Sequence, residues 1–158
     1  MELRLAEYKD AAAIAALSKA EIEYGLEWSW TPARVRRAIA DPETNVLVAF
    51  VGRQLVGFGI MVYREETAHL CLFAVQPSWR RKGTGSAMLA WLEQVASVAG
   101  IQKLALEARH ENAAALAFYR RHGYVKSAIV VGMYQGIENG VRLEKSLSKR
   151  GGHGGCDA

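Results

Sequence analysis

The segment Val75-Gln76-Pro77-Ser78-Trp79-Arg80-Arg81-Lys82-Gly83-Thr84-Gly85-Ser86 is basic and contains two glycines. Residues 68–75 before it are mostly apolar and strand-like, and the residues after it place apolar side chains at helical spacing. The pattern therefore predicts a loop that joins a strand to a helix. The helix is expected to begin near Gly85, with no acidic residue in its first turn.

The chemistry of this loop suits a diphosphate or another strong anion. The first N–H groups of a helix have no internal partner, and the helix dipole adds partial positive charge there. Gly83 and Gly85 let the backbone approach a ligand closely, and Arg80, Arg81 and Lys82 add three cations. The alternative is an ordinary glycine-containing turn with a solvated basic run, because the spacing matches neither a P-loop nor the dinucleotide fingerprint.

Length and composition indicate one globular domain. The chain has 158 residues, 51% of them apolar, which is enough to bury a core. No apolar run approaches the ~20 residues of a membrane span, and no apolar segment of a signal peptide follows Met1. These features predict a cytoplasmic protein without membrane partners.

Charge and cysteine usage narrow the function further. A net charge of +4 suits an anionic cofactor. The sequence has no extended basic stripe with interleaved aromatic residues, so nucleic-acid binding is not predicted. Cys71 and Cys156 lie far apart and lack metal-ligand spacing, so neither a disulfide nor a metal site is predicted. Residues 1–148 are expected to form the domain, and the glycine-rich residues 149–158 a flexible tail.

Helix signals divide the rest of the chain. Asp10 is predicted to cap a first helix, Thr31 and Pro32 to open a second, and Asn112 to open the last, with Gly123 at its C-terminal end. With the helix after the basic loop, four helices are expected. Strands are predicted over 2–8, 45–51, 54–63, 67–75, 101–107, 124–132 and 140–147.

Two motifs resemble a known family. The run from Arg80 to Gly85 resembles the Arg/Gln-x-x-Gly-x-Gly/Ala signature of the GNAT superfamily of acyl-CoA-dependent N-acetyltransferases. Asn112 followed by Ala117-Phe118-Tyr119-Arg120-Arg121-His122-Gly123-Tyr124 resembles that family's Asn…Phe-Tyr-x-x-x-Gly-Phe/Tyr segment. The likeness extends from the N-terminal strand to about residue 147. It implies a single α/β domain with a splayed, mixed, mostly antiparallel sheet of about seven strands and four helices on both faces.

The resemblance implies acetyl-CoA as the cosubstrate and no metal. The backbone N–H groups from Arg81 to Ser86 would hold the diphosphate. The Val75 N–H would donate to the thioester oxygen. The cofactor-binding residues implied are Phe73, Ala74, Val75, Arg80, Arg81, Lys82, Gly83, Thr84, Gly85, Ser86, Asn112 and Tyr119.

Two catalytic residues are also implied. A phenol stays protonated at neutral pH, so Tyr119 is assigned as the acid that protonates the leaving thiolate. The spacing of Glu107, Asn112 and Tyr119 resembles the ribosomal-protein alanine N-terminal acetyltransferases, which implies that Glu107 is the base, acting directly or through water. The alternatives are a core tyrosine, and a strand-end glutamate in solvent or paired with Arg109.

The acceptor side follows from the same resemblance. The loop between the first two helices and the last hairpin are expected to line it, with Glu27, Trp28, Trp30 and Tyr134 as substrate-binding residues. Glu23 or Glu27 would pair with a cationic amine. A hydrophobic latch that holds the loop to the core is the alternative.

The function predicted is direct transfer of an acetyl group from acetyl-CoA to a primary amine, with a protein or peptide N-terminus as acceptor. The alternatives are a small-molecule amine acetyltransferase and a non-catalytic CoA-binding sensor domain. A monomer and a homodimer both fit the sequence.

Overall fold

A computed structural model describes residues 1–147 of the chain. It contains seven strands and four α-helices, which confirms the predicted count. In chain order these are β1 Glu2–Leu5, α1 Ala11–Glu21, α2 Pro32–Ala40, β2 Thr44–Val51, β3 Gln54–Arg64, β4 Thr67–Val75, α3 Thr84–Val98, β5 Lys103–Arg109, α4 Ala113–Arg121, β6 Val125–Tyr134 and β7 Glu138–Ser146.

The seven strands form one mixed sheet in the order β1-β2-β3-β4-β5-β7-β6. β4 and β5 run parallel, with His69 opposite Ala105. β5 and β7 run antiparallel, with Glu107 opposite Arg142. Since side chains alternate between the two faces of a sheet, these registers decide which polar side chains share a face.

The chain divides into two compact units, and the first comprises residues 1–63 and 71–92. Its core consists of apolar side chains from α1, α2, β2, β3 and the end of β4. Fully buried members include Ile14, Val35, Val48, Phe58 and Ile60. This packing fixes the end of β4, from which the basic loop departs.

Gly57 allows a close approach inside this first unit. A Cβ atom at this position would lie 2.7 Å from Met88 Sδ and 3.0 Å from the backbone oxygen of Ala74. Glycine is therefore required where β3 passes the last residues of β4 and the buried side of α3.

The second unit comprises residues 64–70 and the described residues from 93 onward. Many of its buried apolar residues come from β4, β5 and β7, among them Leu70, Leu104, Leu106 and Leu143. Glu93 links the residue before β6 to β7, because it accepts hydrogen bonds from Tyr124 Oη at 2.7 Å and from Lys145 Nζ at 3.1 Å.

Two of the three predicted helix caps are confirmed. Thr31 Oγ1 accepts from the Arg34 N–H, with Pro32 at the first helical position, and Asn112 Oδ1 accepts from the Ala115 N–H at 3.0 Å. Asp10 occupies the N-cap position of α1 as predicted, but its side chain makes no cap hydrogen bond.

The Asp10 carboxylate turns back toward the chain that precedes it. It accepts the Glu7 N–H at 2.8 Å and the Arg4 guanidinium at 2.9 Å, and it makes no cap hydrogen bond to α1. A charged partner and a tight turn outcompete the helix end for this side chain. The first strand ends at Leu5 rather than at residue 8, and Tyr8–Asp10 form a short 3-10 turn.

Within residues 1–147, no helix is long and apolar enough to cross a membrane. The predicted tail over 149–158, including Cys156, lies outside the described residues.

Candidate active site

The basic loop leaves β4 at Val75, passes through a short 3-10 turn over Pro77–Trp79, and enters α3 at Thr84. Arg81 has φ +61° and Gly83 φ +84°, so both adopt the left-handed conformation. That conformation is uncommon for an arginine, and such strain is concentrated at functional sites. The loop thus brings its backbone into an unusual path immediately before the helix.

The three cations of the loop have different surroundings. Arg80 Nη2 pairs with Glu21 Oε1 at 2.7 Å, and Arg80 Nε donates to the Val75 oxygen at 3.1 Å. Arg81 and Lys82 are exposed, and the first turn of α3 contains no acidic residue. Arg80 therefore fixes the loop to α1 and to the end of β4, while Arg81 and Lys82 leave positive charge beside the helix N-terminus.

Tyr119 lies on α4 and is almost completely buried, with 6% of its surface exposed. Its ring packs edge-on against Phe118 and Tyr124, with centroids 5.3 and 5.8 Å away. Burial raises the pKa of the Tyr119 phenol well above its ordinary value, and the neighbouring Tyr134 adds to this. The phenol is consequently protonated across the physiological pH range.

Glu107 lies inside β5 rather than at its end, and its side chain is 5% exposed. One carboxylate oxygen contacts His69 Nε2 at 2.6 Å, and the other accepts from Arg142 Nη2 at 2.7 Å and Nε at 2.8 Å. Arg109, the alternative partner considered from sequence, instead pairs with Glu138 at 3.0 Å. Glu107 is thus held from both neighbouring strands, β4 and β7.

The surroundings of Glu107 keep it ionised. Burial by itself acts to raise the pKa of its carboxyl, but the hydrogen bond and charge of His69, and then those of Arg142, lower the pKa below its usual range. A carboxylate with a lowered pKa is a weaker proton acceptor. The buried position of Glu107 therefore fits a catalytic residue, but its lowered pKa makes it a poor base when it acts alone.

The contact of His69 with Glu107 is the part of this arrangement that the sequence pattern did not indicate. The only local signal is a single histidine in an otherwise apolar strand. Its neighbourhood depends on the parallel register of β4 with β5, which no short-range pattern specifies.

In the loop after α1, Glu23 is structural. The residue is 6% exposed. Its carboxylate accepts from the Ser29 N–H at 2.7 Å, the Ser29 hydroxyl at 2.8 Å, the Trp30 N–H at 3.1 Å and the Ser18 hydroxyl at 3.3 Å. The expectation that Glu23 pairs with a cationic amine is wrong, because four donors of the chain itself already occupy its oxygens.

The aromatic residues expected at the acceptor side differ in exposure. Trp30 packs against the core of the first unit and stacks under Arg34 at 3.9 Å, as a latch would. Trp28 is 38% exposed with Lys19 over its ring at 4.9 Å, and Glu27 is exposed. In the second unit, the Arg109 guanidinium lies 5.6 Å from the ring centroid of Tyr134.

We expect replacement of Glu23 by glutamine to loosen this loop. One carboxylate oxygen becomes an NH₂ group that faces N–H and O–H donors, so buried donors lose their acceptor and the free energy of unfolding falls by about 1–3 kcal/mol. Hydrogen exchange at the amides of Ser29 and Trp30 should accelerate. Glu27→Gln, an exposed carboxylate in the same loop, is the matched control, and equal exchange in the two variants would refute the role of Glu23.

Within residues 1–147, no group of three His, Cys, Asp or Glu side chains could hold a metal ion.

Comparison with known proteins supplies the family. The profile of the Acetyltransferase (GNAT) family matches residues 11–124. No curated protein matches the sequence significantly.

Several solved structures share the fold at low identity. Ard1 from Thermoplasma volcanium superposes with a TM-score of 0.84 at 23% identity, covering 93% of this chain and 97% of its own. The ribosomal-protein-S18-alanine N-acetyltransferase from Escherichia coli gives 0.78 at 24% identity, covering 93% and 94%. The PaiA N-acetyltransferase from Thermoplasma acidophilum, solved in complex with coenzyme A, gives 0.76 at 18% identity, covering 92% and 98%.

Proposed function

The chain belongs to the GNAT acetyltransferase family, and from this premise we propose that it transfers the acetyl group of acetyl-CoA directly to the N-terminal amine of a protein or peptide. The observation that carries the proposal is the loop from Arg80 to Ser86, whose signature, exposed cations and left-handed backbone occur together at the start of α3.

Binding of acetyl-CoA is assigned to this loop and to the end of β4. Backbone N–H groups from Arg81 to Ser86 donate hydrogen bonds to the diphosphate, because helix N-termini and successive N–H groups favour anions. Phe73, Ala74 and Val75 offer backbone groups to the pantetheine arm, with the Val75 N–H on the thioester oxygen. The PaiA enzyme of the same fold was solved with coenzyme A, which supports this choice of cosubstrate.

Tyr119 is proposed as the general acid. When the amine nitrogen attacks the thioester carbonyl, the C–S bond breaks and the thiolate of CoA needs a proton. A phenol that stays protonated at neutral pH supplies it. Asn112 caps α4 with its side-chain oxygen, and the NH₂ end of the same side chain is proposed to donate to the pantetheine arm.

Glu107 is proposed to belong to the machinery that removes a proton from the amine. Its burial on β5 and its spacing to Asn112 and Tyr119 support this assignment. An amine is largely protonated near neutral pH and cannot attack until one proton leaves. Glu107 therefore serves the step that must precede bond formation.

An N-terminal amine is proposed over other acceptors for two reasons. The spacing of Glu107, Asn112 and Tyr119 resembles the ribosomal-protein alanine N-terminal acetyltransferases, and the Escherichia coli enzyme of that class shares the fold over 93% of this chain. Glu27, Trp28, Trp30 and Tyr134 remain the proposed acceptor-side residues.

Kinetics on matched acceptors test the proposal. A peptide with a free N-terminal alanine, the same peptide with a blocked N-terminus and one internal lysine, and a panel of small primary amines are compared with acetyl-CoA as donor. We expect kcat/KM for the free N-terminus to exceed the others by at least about tenfold, because remote contacts with a peptide lower the barrier. Preference for a small amine would instead support the small-molecule enzyme.

A further inference from the structure

We propose that the outer side of α2 binds an acidic segment of the acceptor polypeptide, downstream of the N-terminal amine that is acetylated. This inference rests on the proposed function and specifies the class of acceptor. It begins from three exposed arginines within four positions of one short helix, Arg34, Arg36 and Arg37. We call these three residues the arginine face.

Packing of α2 does not require this charge. Val35 is fully buried in the core of the first unit, and Ala38 and Ile39 pack beside it. A helix turns once in 3.6 residues, so Arg36 and Arg37 project away from the side that carries Val35. The helix is therefore held to the core by its apolar side, and the guanidinium groups of Arg36 and Arg37 lie in solvent.

The charge of the arginine face is not balanced by the chain itself. Within residues 1–147, no ion pair involves a residue of this face. Four arginines elsewhere each pair with a carboxylate, namely Arg4, Arg80, Arg109 and Arg142. A guanidinium presents five N–H donors in a planar fork that suits a carboxylate. The arginine face thus offers an external anion the donors that other arginines use internally.

The arrangement also disfavours the helix that carries it. Arg34 lies in the first turn of α2, where the helix dipole adds partial positive charge, and that turn contains no acidic residue. Arg34 and Arg37 are three positions apart, which brings two like charges to neighbouring positions on the helix surface. Residues that break local rules without a gain in packing are expected at functional sites. A bound anion would relieve both repulsions.

One cation of the face is held in place and joins it to the proposed acceptor side. The Arg34 guanidinium lies 3.9 Å from the ring centroid of Trp30. The Trp30 N–H in turn donates to the buried Glu23 carboxylate at 3.1 Å. A cation that is already positioned loses less freedom when it binds. Since Trp30 belongs to the loop proposed to line the acceptor side, a polypeptide that lies along this loop continues onto α2.

The extent of the positive charge favours a short acidic peptide over a nucleic acid. The nine residues of α2 span only ~14 Å. Exposed carboxylates follow and precede the helix, namely Asp41, Glu43 and Glu27. A nucleic acid carries closely spaced phosphates and needs a longer basic groove. In an extended peptide, side chains at alternate positions lie ~7 Å apart, which flexible arginines one turn apart can reach. The expected segment therefore has two acidic residues separated by one residue.

Kinetics with matched peptides test the proposal. Each peptide has a free N-terminal alanine and, downstream, two glutamates, two glutamines or two lysines at alternate positions, and the pair is moved in single steps along the peptide. At the best position we expect kcat/KM for the glutamate peptide to exceed that for the glutamine peptide by about three- to tenfold, mainly through KM, because exposed ion pairs each contribute modestly. High salt should reduce the preference. Equal values at every position overturn the proposal.

Charge reversal locates the preference on α2. We expect Arg36→Glu, Arg37→Glu to reverse it, so that the lysine peptide becomes the better acceptor, and Arg36→Gln, Arg37→Gln to abolish it while keeping good helix formers. Arg34 is left in place because it contacts Trp30. The matched control, Arg53→Glu, Arg64→Glu, changes net charge equally at exposed positions outside α2 and should keep the preference. An equal loss in the control would assign the preference to overall charge and overturn the proposal.

A binding measurement decides the case in which wild type transfers no acetyl group, a result that would contradict the proposed function itself. The probe is the glutamate peptide with an acetylated N-terminus and a C-terminal fluorophore, and anisotropy gives its Kd. We expect Kd to rise about three- to tenfold in Arg36→Glu, Arg37→Glu, and equal values overturn the arginine face as a binding surface. Displacement of the peptide by a single-stranded oligonucleotide with steep salt dependence would identify a nucleic acid as the occupant and also overturn the proposal.

Discussion

Replacement of Tyr119 by phenylalanine is expected to lower kcat for acetyl transfer by about 10²- to 10⁴-fold, while the affinity for acetyl-CoA changes little. The ring is buried between Phe118 and Tyr124, so phenylalanine keeps the packing and removes only the hydroxyl. The thiolate of CoA then leaves without a proton donor. Single-turnover kinetics with acetyl-CoA and a peptide acceptor measure the loss at the chemical step.

Tyr124→Phe provides the matched control. Tyr124 is five residues farther along, equally buried, and its hydroxyl donates to Glu93 at 2.7 Å. Loss of this hydrogen bond is expected to lower the free energy of unfolding by about 1 kcal/mol without changing kcat of the folded protein. If Tyr119→Phe turned over at the wild-type rate, the acid would have to be another group.

The double variant Gly83→Asp, Gly85→Asp is expected to weaken acetyl-CoA binding by about 10²-fold or more. It places two carboxylates where the proposal has the diphosphate, and like charges brought together cost several kcal/mol. The space for a side chain at Gly83 is open, so the charge enters without a steric clash. An aspartate at Gly85 lies in the first turn of α3, where the helix dipole favours it.

Two controls separate charge from backbone strain. Gly52 also has a positive φ and open space around its Cβ position, so Gly52→Asp places one carboxylate at a similarly strained position in the β2–β3 turn, away from the proposed anion site. Gly83→Asn, Gly85→Asn changes the loop without adding charge. Calorimetric Kd values near wild type in both controls, with a large loss only in the aspartate variant, assign the effect to the anion site. Equal Kd values in all variants would remove the loop from cofactor binding.

Local chemistry predicted most of the fold. The β2–β3 hairpin, the strand over 67–75 and the helix caps at Thr31 and Asn112 each depend on residues within a few positions of one another. Short-range rules capture such features because the interactions are short-range. The exception, Asp10, has two competing partners nearby, and sequence alone does not rank them.

Sequence reasoning named candidate site residues only where a continuous sequence motif contains them. The loop and Tyr119 are encoded in continuous segments, whereas the link from His69 to Glu107 and Arg142 joins three strands whose pairing is set by the whole sheet. Glu23 is a second case in which short-range sequence patterns did not predict the contacts of a side chain. A carboxylate near tryptophans suggested ligand binding, and the structure uses it to hold its own loop.

The most direct test of the account is a paired measurement of CoA thiol release and acceptor acetylation by purified protein with acetyl-CoA and an N-terminally free peptide. The account predicts that one acetyl group appears on the peptide for each thiol released, with neither product formed when the peptide is N-terminally blocked. Bound acetyl-CoA with no thiol release would indicate a sensor domain, and thiol release without peptide acetylation would indicate hydrolysis. Either result would contradict the assignment of a peptide N-terminal amine as the acceptor.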